Sequence, residues 1–510
     1  MKKVLLSLCV GFYVLSASGQ EIPFQIKKSE IFKDEYKRST IVSVNDDKNG
    51  GTIIVRSYAG GAMSSAHGYY FEHYNADMKL INEFEYELKR GHVLGVLVND
   101  EKVNIVAYSY DKEAKAYIGT VSSANITDFK FSTSELFRLE REEVEGGGLF
   151  GGGSYDSDNA ANMLVNRERN AFAVSIDLVD KNSETHKLFV YDHNMKQSLE
   201  HTFKRDIKDK KFRYENIDIS DDGKTVYLLG KVHTPANKKK KEGGKYQYEL
   251  SKITKEGAKT QIFDTDDHFA ASLKTIFKNN KITCVGFYSD RKDSRFKGLC
   301  YFELDPNTLA ITSQKFNPFT EQFIIDKYGK DKDKELKNIS FRDIIVTAKN
   351  EIVFNAEEYY EVTHYHASPN GGGYWSTTYH YDDIVSAKLS ESGDLVWARN
   401  INKRQATGGD ESYISYTSTV KGDDTYFFIN TGEKVKKLRN DRIQFGQTST
   451  KKSNLNIIRI NGNGDFDYQE LLDDKDNDVP FMVAHGAVTD NTVYFIGRKS
   501  KKKQLLKITI

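Results

Sequence analysis

Residues 224–232, KTVYLLGKV, and residues 248–263, YELSKITKEGAKTQIF, decide the fold. The first carries continuous apolar residues from Val226 to Leu229, as expected of a strand covered on both sides. Asp221-Asp222-Gly223 precedes it and supplies a tight turn. The second reads as a strand, a polar turn and a returning strand. Two hairpins in succession make a four-stranded antiparallel sheet.

The same plan recurs outward in both directions. Its apolar strand returns as TIIVRSY (52–58), KVNIVAYSY (102–110), NAFAVSIDLV (170–179), KITCVGFYS (281–289), EIVFNAEEY (351–359), DTYFFIN (424–430) and NTVYFIGR (491–498), giving eight copies. Its second hairpin returns as YFEHYNADMKLINEF (70–84), LFVYDHNMKQSLEHTF (188–203), YFELDPNTLAITSQKF (301–316), SAKLSESGDLVWARNI (386–401) and LNIIRINGNGDFDYQEL (455–471), with a weaker form near 118–131. Four-stranded sheets in tandem, each covered by its neighbours, predict an all-β chain folded as a β-propeller of eight blades, with seven as the alternative count. The eighth unit holds a hairpin and one more strand, QLLKITI (504–510), so IPFQIKKSEIF (22–32) is expected to supply its outer strand and close the ring.

Composition agrees with a core divided among many small sheets. Counting Gly in place of Tyr leaves about 39% apolar residues among 510, below the ~45–50% of ordinary soluble domains. Thirty Phe, thirty Tyr and only six Pro argue against disorder. The 74 basic and 73 acidic residues nearly cancel, so no nucleic-acid partner is expected from net charge.

Residues 1–19 have a secretory plan: Lys2 and Lys3, an apolar run from Val4 to Leu15, then Ser16, Ala17, Ser18 and Gly19. That run is shorter than the ~20 residues needed to span a bilayer. The expectation is a signal peptide cleaved after Gly19, a single propeller domain over 20–510, and export to the periplasm or outside of a Gram-negative bacterium, without a membrane span. Over nearly all of that span the chain resembles secreted bacterial β-propeller proteins. Ala387, Gly393 and Trp397 in AKLSESGDLVW are similar to the tryptophan-docking motif of quinoprotein propellers. Leu389 departs from that motif's acidic position, so the resemblance implies a shared way of locking blades and no quinone cofactor.

Candidate sites concentrate in unit six. THYH (363–366) and TTYHYDD (377–383) flank the turn SPNGGG. A hairpin centred near Gly372 would set His364 opposite His380, with His366 and Asp382 on the same face, a donor set suited to zinc or copper. The other reading is a solvated hairpin whose aromatic and imidazole rings cover each other. Tyr365, Tyr374, Trp375, Tyr379 and Tyr381 make the same extension the expected interaction surface for an envelope or extracellular protein or glycan. Cys284 and Cys300 lie on two runs that read as a hairpin turning near Lys292, where either a cross-strand disulfide or two packed thiols would fit.

Other motifs carry less. Asp474, Asp476 and Asp478 alternate like calcium-loop ligands, but Val479 replaces the required Gly and His485 the closing Glu. EGGGLFGGGSYD (145–156) lacks the Lys-Ser/Thr of a phosphate cradle and reads as a linker. Asn317-Pro318 is expected to cap a short helix through Phe323 and Tyr328. The functional expectation is an exported non-enzymatic binding scaffold. Its alternative is a hydrolase or lyase acting on polysaccharide or peptide at the axial mouth.

Overall fold

The computed structural model describes residues 21–47, 49–59, 66–88, 91–99, 101–140, 161–178, 183–233, 246–263, 268–290, 295–330, 335–367, 373–433, 435–440, 442–446 and 453–510. The leader, the run 145–156, the lysines 238–241 and the turn 368–372 lie outside the described residues.

Eight antiparallel sheets of at least four strands follow one another, and the first seven pair their strands in chain order. The eight apolar runs are the second strands of these sheets. Thr52–Ala59 and Val226–His233 are each buried at their first five positions, whereas the outer strand Leu80–Glu87 alternates between exposed and half-buried positions. A strand inside a blade is covered on both faces and loses the polar alternation that the rim strand keeps.

The core is divided in the same way. Eight apolar clusters occupy the eight junctions between neighbouring blades. Ile53, Val55 and Phe71 of blade one meet Val103 and Ile105 of blade two. Tyr494, Ile496 and Leu505 of blade eight meet Ile41, Ile54 and Tyr74 of blade one, so the ring is closed.

Closure comes from the segment expected to provide it. Gln25–Lys28 pairs with the strand Lys502–Thr509, Gln25 facing Thr509 and Lys28 facing Leu506. Phe32–Lys33 continues the pairing with Lys503 and Lys502. Ser29 sits between them, its N–H donating to the Leu505 carbonyl at 3.0 Å and its Oγ accepting from the Leu505 N–H at 2.9 Å.

A buried ionic group locks this seam. Arg56, only 2% exposed, donates through Nε to Glu72 Oε2 at 2.9 Å and through Nη1 to Asp34 Oδ2 at 2.8 Å. The Lys503 Nζ lies 3.7 Å from the same Asp34 carboxylate. Burial alone would disfavour the guanidinium charge, but Glu72 and Asp34 together hold its pKa above the usual value. Asp34 follows the N-terminal strand, Arg56 and Glu72 belong to blade one, and Lys503 belongs to blade eight.

The Gly393–Trp397 segment performs the blade locking that its resemblance implies. Gly393 adopts φ 84° in the turn of the second hairpin of blade six and lies against the Tyr301 ring of blade five, where a side chain would collide. Trp397 packs on the other side into a cluster with Phe427, Ile458 and Phe466 of blade seven. The helix spans Glu321–Tyr328, but Thr320 caps it, accepting from the Phe323 N–H at 3.2 Å. Asn317 does not cap the helix because its amide is used across the blades, donating to the Gly393 carbonyl at 2.9 Å and accepting from the Leu395 N–H at 3.2 Å.

The two cysteines lie on paired strands but not opposite each other. Cys284 faces Phe302, and Cys300 faces Gly286. Both are buried free thiols, and burial pushes the Cys284 thiol up to about 12. No helix among the described residues is long and apolar enough to cross a membrane.

Deleting residues 20–33 removes both closing strands and Asp34's approach to Arg56. Its thermal midpoint should fall by at least ~5 °C, as read by calorimetry against the intact chain. Arg56→Ala leaves two buried carboxylates facing each other and should lower stability by about 3–5 kcal/mol in urea titration.

Candidate binding face

The sheets give the ring two unlike faces. First-to-second and third-to-fourth strand turns are tight and meet on one face, as at Asp221-Asp222-Gly223 and 193–196. Second-to-third strand connections meet on the opposite face and vary widely, from 500–501 in blade eight to 432–453 in blade seven. Variable connections on a rigid frame are where recognition is built.

The longest described strands, in blade six, run out on this loop face. The second and third strands of that blade, Ile352–Ala367 and Gly373–Leu389, run for 16 and 17 residues. The part beyond Tyr360 and His380 extends about 20 Å at strand rise. Successive pairs on one side of this arm are Tyr359–Tyr381, Glu361–Tyr379, Thr363–Thr377 and Tyr365–Trp375. The other side carries Tyr360–His380, Val362–Thr378, His364–Ser376 and His366–Tyr374.

This register separates the imidazoles. His364 faces Ser376, and His380 faces Tyr360, four positions nearer the ring. The spacing is about 13 Å, too far for one ion. The rings are used by their neighbours instead. His380 stacks on Tyr360 with centroids 4.5 Å apart, and Tyr360 donates to Asp382 Oδ2 at 3.0 Å. His366 stacks on Tyr374 at 4.8 Å and lies 2.6 Å from Ser376 Oγ. The hairpin turns earlier than centring on Gly372 would require, which moves each expected opposite partner along the strand.

The aromatic residues divide between tip and base. Tyr365, Tyr374 and Trp375 are 51%, 66% and 68% exposed, with Tyr365 and Trp375 in ring contact at 4.9 Å. Tyr379 is half-buried. Tyr381 is only 8% exposed and its hydroxyl donates to the Glu411 carboxylate, so it belongs to the frame of the ring.

Tyr381 also lines a cavity of about 350 Å³ beside the first strands of blades six to eight, together with Arg342, Asp343, Glu411, Tyr416 and His485. Behind it, fully buried Glu357 is met by Lys403 and Arg342, each at 2.7 Å, and by the Ser415 hydroxyl at 2.6 Å. Lys403 also donates to the Tyr381 carbonyl at 2.6 Å. Burial lowers the Lys403 pKa against the pull of Glu357, and raises that of Asp343 against its hydrogen bond from Ser418. These charges are matched within the ring wall. A second hollow of about 500 Å³ is lined by Arg38, Asp410, Glu411 and Arg498, with Arg498 and Asp410 ion-paired.

The aspartates of DDKDND form a short 3-10 turn, Asp474–Asp476, capped by Asp473 onto the Lys475 N–H at 3.0 Å. Among the described residues, one set of three metal-capable side chains has its donor atoms within 4.8 Å of one another: Asp177, Glu184 and His186 in blade three. Sequence reading passed over them. The available signal was Glu-x-His at strand spacing, a short connection after an Asp one residue before the end of the preceding strand.

No protein-family model and no curated protein sequence matches the chain. Solved structures with similar shape include the WD40 domain of SCAP from fission yeast, 7% identical, covering 95% of this chain and 94% of that one at a TM-score of 0.39. The polysaccharide lyase Uly1 is 9% identical, with 95% and 99% covered at 0.36. The β-propeller domain of the Trilobed protease from Pyrococcus furiosus is 9% identical, with 82% and 93% covered at 0.35. The propeller assignment for this chain stands on its own strand pairing.

His485 stands exposed at the rim of the cavity, and partial desolvation there holds its pKa below the usual 6.5 against the nearby Asp410 and Glu411 charges. The folded state therefore binds fewer protons than the unfolded chain just below pH 6.5. The stability tied to the neutral imidazole is complete above that pH and is lost as pH falls towards the folded value. His485→Gln should flatten the decline of the urea midpoint between pH 6.5 and 5, compared with the parent protein.

Proposed function

We propose that this protein is an exported, non-enzymatic binding scaffold whose loop face holds an envelope or extracellular protein partner. The observation that carries the reading is the tip of the blade-six arm, where Tyr365, Tyr374 and Trp375 are exposed about 20 Å from the ring. Aromatic side chains there offer large contact area with few rotatable bonds, the composition that dominates binding hot spots. The ring beneath them supplies a rigid mount. The leader at residues 1–19 supports delivery to the periplasm or beyond, where such a partner would be met.

A second reading is a hydrolase or lyase for polysaccharide or peptide. It is favoured by the cavity beside blades six to eight, where Asp343 and His485 have their pKa values displaced in opposite directions. Release of reducing ends or new amines, lost in His485→Gln with the fold intact, would select this reading.

For the scaffold, Tyr374→Ala and Trp375→Ala should each weaken capture of the protein partner by about thirtyfold, equivalent to ~2 kcal/mol, without moving the thermal midpoint. Quantitative pull-down with surface plasmon resonance checks this. Unchanged binding in the double variant would remove the arm from the interface, and binding to glycan arrays alone would replace the protein partner with a carbohydrate.

A further inference from the structure

We infer that Asp177, Glu184 and His186 form a binding site for a zinc-class dication in blade three, with one coordination position left for water. Asp177 lies on the second strand, Ala171–Leu178, directly opposite His186 on the third, Glu184–Asp192. Glu184 is two residues before His186, so all three project from the same side of the sheet. Their donor atoms lie within 4.8 Å of one another, and Glu184 Oε1 is 2.7 Å from His186 Nε2. Ligands around tetrahedral zinc stand roughly 3.3 Å apart at bond lengths of 2.0–2.1 Å. Small side-chain rotations bring this set to that spacing.

Burial points to a missing partner. The Glu184 and His186 side chains are 4% and 5% exposed, and Glu184 Oε2 accepts no hydrogen bond. A buried carboxylate oxygen without a donor loses its hydration uncompensated, and a second carboxylate nearby adds repulsion. Two cations near Glu184 among the described residues have other partners. Arg205, opposite Glu184 on the outer strand, pairs with Glu249 of blade four at 2.7 Å, and Lys187 pairs with Glu200 at 2.6 Å. A dication would neutralise both carboxylates and take the imidazole lone pair.

The donor set selects the ion. One imidazole and two carboxylates suit zinc, whereas calcium takes six to eight oxygens. The His186 ring lies 5.7 Å from Tyr214 and 6.2 Å from Phe212 on the first strand of blade four. Bound metal there would tie the second and third strands together at the loop face and stiffen the junction of blades three and four.

The test is zinc titration of full-length protein stripped with a chelator, read by calorimetry and by metal analysis after gel filtration. One equivalent of zinc should bind, raise the thermal midpoint and slow hydrogen exchange around Asp177 and His186. Calcium and magnesium should do neither. Glu184→Gln and His186→Asn should weaken zinc by at least about tenfold with an unchanged circular dichroism spectrum, while a His364→Ala/His366→Ala double variant should bind normally. Absence of zinc uptake by the parent protein would overturn the site. Uptake unchanged in both blade-three variants would also overturn it. If either variant fails to fold, the exchange pattern of the parent protein decides: slowing elsewhere, or none, refutes the assignment.

Discussion

Every blade of this ring depends on having a neighbour on each side. No single four-stranded sheet here owns a core, since each apolar cluster is completed by residues of the next blade. The junction of blades eight and one is therefore the constraint on which the others rest, because without it two sheets would expose an apolar face. Gln25–Lys28 pairs across it, and Arg56, Asp34, Glu72 and Lys503 meet beneath it. Hydrogen bonding gives that seam its register, and the buried charges tie the N-terminal segment, blade one and blade eight to one another. An ion group of this kind stabilises little compared with an apolar replacement of the same shape, but it penalises every arrangement that separates its members.

The same division of labour separates the two faces. Tight turns with Asp, Asn and Gly hold one face to a common pattern, while connections on the other are free in length. Blade six uses that freedom by prolonging both strands of a hairpin. Its base is fixed into the ring by Tyr381, Lys403 and Glu357, and its tip carries the exposed rings. The charges at the cavity serve the base: Glu357 is matched by Arg342, Lys403 and Ser415 in the wall that supports the arm.

Strand identity was legible in the sequence because continuous apolar runs such as VYLLG and YFFIN have few other uses in a chain this polar. Closure by residues 22–32 was legible because the eighth unit lacked a strand. Register was not. A period of two assigns each side chain a face, but the residue opposite it depends on where the hairpin turns, and a small change of turn moved His364 from His380 to Ser376 and Cys284 from Cys300 to Phe302. Asn317 beside Pro318 had the composition of a cap, yet its amide was engaged by Gly393 and Leu395 of the next blade. Arg56 and the Asp177–Glu184–His186 set stayed hidden because a charge inside a strand gives no local sign of being buried. Only the position of the adjoining strands reveals what it faces.

The length of the blade-six arm separates two kinds of selection. Substitutions at Tyr365, Tyr374 or Trp375 touch neither the junction clusters nor the ionic seam, so the rings at the tip are free to change identity while the ring beneath stays folded. Residues at the base have no such freedom, since Tyr381 is at once part of the arm and part of the wall. A lineage of such chains would diversify from the tip inward, with the exposed rings drifting quickly and the base hardly at all.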